Sequence, residues 1–73
     1  MGMMTLGELF PQELARVRAV RDAYRALGPG GACALAHIEP VIAEAEQALA
    51  AQDAVAMIQV QRRLAAIDAL SGR

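Results

Sequence analysis

Thr5 stands three residues ahead of Glu8, a spacing at which each side chain can hydrogen-bond the other's backbone and begin a helical turn. Pro11 follows. Proline is tolerated in the first turn of a helix, so a longer helix is expected to begin around Pro11 and run to Leu27, with the Thr5–Glu8 turn as a short extra element before it. Phe10, Leu14, Val17, Val20, Tyr24 and Leu27 recur at spacings of three and four, with Arg21 as the alternative to Val20, and so gather on one core-facing stripe. A second stripe of Ala15, Ala19, Ala23 and Ala26 lies well round the same cylinder, where small side chains let another backbone come close.

Gly28-Pro29-Gly30-Gly31 breaks the pattern, because glycine accepts a helix C-cap conformation and proline cannot continue the ladder. Over residues 32–51 the next stripe places Leu35, Ile38, Ile42, Ala45 and Leu49 in a register that carries through Pro40. One kinked helix is expected there. Two helices meeting at Pro40 are the alternative, since proline removes a backbone donor and disfavours helical geometry at Glu39. Ala50-Ala51-Gln52-Asp53 makes a tight connection, and Asp53 caps a last helix that carries Met57, Val60, Leu64 and Ile67 and ends at Gly72. Short connections between three helical stretches predict an all-α chain, a small three-helix bundle forming one domain over residues 1–73, with residues 1–4 flexible.

Composition narrows what such a bundle can do. Of the 73 residues 56% are hydrophobic, but many are alanine, which favours helix and buries little surface. So small a core makes a lone chain marginal, and self-association is the simplest remedy. The net charge of −1 gives no global attraction to nucleic acid or to an anionic membrane. Every basic residue is arginine, which fits a GC-rich coding bias. Charge is sorted between helices: Arg16, Arg18, Arg21 and Arg25 with Glu13 and Asp22 in the first, and Glu39, Glu44 and Glu46 without arginine in the middle one. These two sets can pair within a chain or between chains.

A catalytic or cofactor-binding constellation is not expected. Cys33 and His37 lie one helical turn apart and amount to a two-ligand fragment, short of a metal site. Ser71 has no histidine or acid partner nearby, and Glu44 and Glu46, two apart, point to different faces. The glycine cluster follows a helix and has no lysine, so it is turn chemistry and not a phosphate loop. A lone cysteine, no export signal and no apolar run long enough to span a bilayer predict a cytoplasmic protein with no membrane partner. Gly2 would need Ser or Thr where Leu6 stands for myristoylation.

Val17-Arg18, Ala23-Tyr24-Arg25, the run from Leu27 through Gly28-Pro29-Gly30-Gly31 to Ala32, Ile38, and Asp53-Ala54-Val55-Ala56-Met57 give the chain a resemblance. It resembles short helical proteins encoded in phages and prophages of proteobacteria. That resemblance implies a small accessory protein of a mobile element that binds a host or phage macromolecule, and it carries no functional residues. Pro40 departs from the uninterrupted second helix of those proteins.

The function expected is therefore a non-enzymatic protein–protein interaction without cofactor or metal, the partner being a second copy of the chain or a host or phage protein. Candidate interaction residues are Arg16, Arg18, Arg21, Tyr24, Arg25, Ala15, Ala19 and Ala23. The alternative is a small nucleic-acid-binding regulator using Arg16, Arg18, Arg21 and Arg25 against phosphate.

Overall fold

The computed structural model describes residues 5–67, which form three helices and no strand: α1 over Leu6–Ala26, α2 over Ala32–Ala51 and α3 over Ala54–Ala65. This is the expected all-α three-helix bundle. Residues 1–4, Ser71 and Gly72 lie outside the described residues, and α3 ends at Ala65, short of the Gly72 stop read from the sequence.

Helix α1 corrects the expected start. Thr5 and Glu8 do form the reciprocal capping box, with the Glu8 N–H donating to Thr5 Oγ1 and the Thr5 N–H donating to Glu8 Oε1, both at 3.2 Å. They open the long helix itself, which runs through Pro11 without a break. Phe10 is fully buried at the head of the core stripe, where the sequence pattern places it. The proline lacks the N–H that would reach the Gly7 carbonyl four residues back, and Gly7 is exposed, so water can satisfy that oxygen.

Gly28–Gly31 forms a single 3-10 turn between α1 and α2. Gly28 takes a φ of +67°, a conformation open to glycine at little cost. Gly31 is buried, and a Cβ there would stand 2.1 Å from the Tyr24 carbonyl oxygen. The two backbones meet at a distance that no side chain permits.

Helix α2 is continuous across Pro40, as the unbroken register of its apolar positions implied. The carbonyl deprived of its partner belongs to Ala36, again an exposed residue. The buried positions are Ile38, Val41, Ile42, Ala45 and Ala48, so the stripe differs from the expected one at both ends: Leu35 is half-buried and Leu49 exposed. A middle helix touched by neighbours on two sides needs a wider apolar strip than one heptad seam supplies. In α1 the buried set is Phe10, Leu14, Val17 and Val20, with Tyr24 packed against it and Leu27 left 53% exposed. Val20, not Arg21, takes the contested core position.

Helix α2 closes on Gln52, whose left-handed φ of 53° lets its N–H reach the carbonyls of Ala48 and Leu49. Asp53 then accepts from the Ala56 N–H at 3.1 Å and caps α3, as its sequence position predicted. Met57, Val60 and Leu64 close the core, with Ile67 packed against its edge. At about 1.5 Å per residue α3 is about 18 Å long and α1 about 32 Å, so α3 covers little more than half of the α1–α2 hairpin.

Replacing Gly31 by alanine is expected to lower unfolding free energy by about 3 kcal/mol or more, because the new methyl overlaps a backbone oxygen that cannot move alone. Gly30→Ala, with nothing within 4 Å of the added carbon, is the matched control and is expected to be near neutral or slightly stabilising. Urea denaturation of the two variants against the parent measures the difference.

Candidate protein-interaction site

The expected interaction residues on α1 point in four directions and do not converge on one patch. Ala15 and Ala19 face outward with Ala26, while Ala23 sits half-buried on their flank. Arg18 and Arg25 lie along the seam with α2. Arg16 lies on the opposite edge, toward α3. Tyr24 packs against the core, and Arg21 lies at its border, its side chain 21% exposed and its Nε donating to Asp22 Oδ1 at 3.1 Å.

Each seam of the bundle carries an arginine. Between α1 and α2, Arg18 Nη2 donates to Glu46 Oε2 at 2.7 Å, and Arg25 Nη2 to Glu39 Oε2 at 2.9 Å. Between α2 and α3, Arg63 pairs with Glu44. Glu44 and Glu46 thus serve different neighbours, the consequence of their two-residue spacing on a helix. These pairs are roughly half-exposed, so each contributes little to stability and mainly favours one register over another.

Arg16 makes the third seam by a different chemistry. Its Nη1 donates to the Ile67 carbonyl at 2.8 Å and its Nη2 to the Leu64 carbonyl at 2.9 Å, while Glu13 Oε1 accepts from the same guanidinium. A guanidinium across the end of α3 adds a charged donor to the carbonyls at the helix's negative pole, sharing the Leu64 oxygen with the Ile67 N–H. The residue expected to greet a partner is spent inside the chain. Sequence reading had no means of finding this, since the two acceptors lie 48 and 51 residues away and belong to backbone.

Cys33 and His37 are both exposed on α2, one turn apart, and among the described residues no group of three or more possible ligands surrounds them. A shallow cleft of about 400 Å³ runs between α2 and α3, with Gln47, Ala51 and Gln59 on its walls beside the Glu44–Arg63 pair. None of the residues expected at an interaction site lines it. No described helix is long and apolar enough to cross a membrane.

What sequence reading missed is the outward face of α3. Val55 and Ile58 are 65% and 50% exposed, and with Arg62 they follow the i, i+3, i+7 spacing of a single helix face. The signal was present in the sequence, since Met57, Val60 and Leu64 had already claimed the opposite side of that helix. Comparison with protein-family models, with curated proteins and with solved structures gave no match.

Substituting Arg16 by methionine keeps the aliphatic stem and removes the cap. The expected loss is about 1 to 2 kcal/mol, with hydrogen exchange accelerating first at the last turn of α3. Arg25→Ala, which breaks only an exposed pair, is expected to cost no more than about 1 kcal/mol and to leave α3 protected.

Proposed function

We propose that this protein works by binding other proteins, including a second copy of itself, through outward helix faces, and that it catalyses no reaction. The observation that carries the reading is the pair Val55 and Ile58, two large β-branched side chains standing side by side on the solvent face of α3. Scattered apolar residues on a surface need no explanation, but adjacent ones on a helix that already has a full core face suggest a second contact.

The outward face of α1 supports self-association. Ala15, Ala19 and Ala26 are exposed there, and a second helix could approach that backbone closely. A role as a phage or prophage accessory protein rests on the resemblance alone, and a cytoplasmic setting on the sequence reading; both belong to the same proposal. Protein is favoured over nucleic acid as partner because Arg16, Arg18, Arg21 and Arg25 each already hold an acceptor within the chain. Phosphate would have to displace those acceptors.

Light scattering coupled to size exclusion, over a series reaching tens of micromolar, is expected to show a dimer or larger species. Ala19→Glu should return it to the monomer mass with an unchanged melting temperature; a monomer at every concentration would remove self-association from the reading. Under low salt, single- and double-stranded DNA probes should remain unshifted. A salt-sensitive shift lost in the Arg18→Ala, Arg25→Ala double variant would replace the protein reading by the phosphate one.

A further inference from the structure

The geometry points to the Val55–Ile58–Arg62 face of α3 as a docking surface for an acidic amphipathic helix of another protein, an inference that rests on the protein-binding reading above. At about 100° per residue these three side chains fall within about 60° of one another, opposite the core side that carries Met57, Val60 and Leu64. Exposed Ala65 and Ala66 continue the face toward the C-terminal end and leave room for a partner backbone.

The distribution of charge favours an acidic occupant. Arg16, Arg18, Arg21, Arg25 and Arg63 each sit against a carboxylate of this chain. Arg62 alone among the arginines of the described residues meets no carboxylate among them, and it stands on the same stripe as two exposed large apolar side chains, Val55 and Ile58. Two unrelated properties, unmatched charge and exposed apolar surface, therefore coincide on one helix face.

The carboxylates give the complementary half of the argument. Glu13, Asp22, Glu39, Glu44 and Glu46 hold arginines, while Glu8 and Asp53 hold helix N-termini, so every carboxylate among the described residues is engaged. With any of these seven carboxylates, a second copy could answer Arg62 only by giving up a pair or a cap of its own. A partner that brings its own acid gives up nothing. α3 itself contains no acidic residue to repel that partner, and its length of about 18 Å matches the three-turn stripe of an amphipathic helix laid along it. An anionic bilayer fits less well, because the face offers one unpaired cation and no aromatic side chain.

The test uses the whole chain with labelled valine and isoleucine methyl groups and two synthetic 20-residue helical peptides. Both peptides carry leucine at i, i+3 and i+7; one is flanked by glutamate, the other by lysine. The glutamate peptide is expected to shift the Val55 and Ile58 methyl resonances saturably and to bind about tenfold more tightly than the lysine peptide. Arg62→Glu, an exposed substitution, should reverse that preference while leaving the melting temperature unchanged. Equal binding of both peptides would overturn the acidic partner and leave protein binding standing. If neither peptide moves these resonances, the docking surface fails, and self-association through α1 is still decided by the solution mass. Shifts of the same methyl groups on concentrating the protein alone, or on adding phosphatidylglycerol vesicles, would assign the face to a second copy or to lipid and overturn the inference.

Discussion

The bundle depends on one close approach, that of Gly31 to the backbone of Tyr24. With no side chain between them, the chain reverses within a single 3-10 turn and α2 returns tightly along α1. This reversal brings Glu39 level with Arg25 and Glu46 level with Arg18, and sets Ile38, Val41 and Ile42 against the apolar stripe of α1. A wider turn would shift these levels. Hydrophobic burial drives the association of the helices, but the turn decides which residues meet.

Given that reversal, α2 acts as the acidic member between two arginine-bearing helices. Its carboxylates are divided by helical geometry, Glu39 and Glu46 toward α1 and Glu44 toward α3, so a single helix matches both neighbours. The pairs sit outside an apolar core that includes no buried polar or charged residue among those described, and their half-exposed state makes them selective more than strong. Arg16 differs because its acceptors are carbonyl groups at the end of α3. It ties the middle of the first helix to the end of the last.

Local chemistry was legible in the sequence, and chemistry between distant residues was not. The Thr5–Glu8 box, the Asp53 cap and the glycine-proline turn each depend on residues within a few positions, and all three appear where the sequence places them. Pro11 misled because its usual place in a first turn made the Thr5–Glu8 turn look separate from the helix that it opens. The stripe of α2 was placed one step off at Leu35 and Leu49 because a single heptad seam cannot describe a helix with two neighbours. Of the interaction candidates, Ala15 and Ala19 face outward as expected, while Arg16, Arg18, Arg21 and Arg25 turned to acceptors whose positions only the tertiary arrangement fixes.

The short reach of α3 bears on the order of assembly. α1 and α2 share a tight connection and local contacts, so a chain emerging from its N-terminus can complete that hairpin before residues 54–67 exist. The hairpin then waits with the Phe10 and Leu14 end of its apolar surface uncovered. Closure of α3 over that end, sealed by the Arg16 guanidinium, is the step with the longest sequence separation. A nascent chain therefore passes through a stage at which the Phe10 and Leu14 end is sticky, and the interval before the twelve residues of α3 arrive is when a chaperone, or a neighbouring copy, would find it.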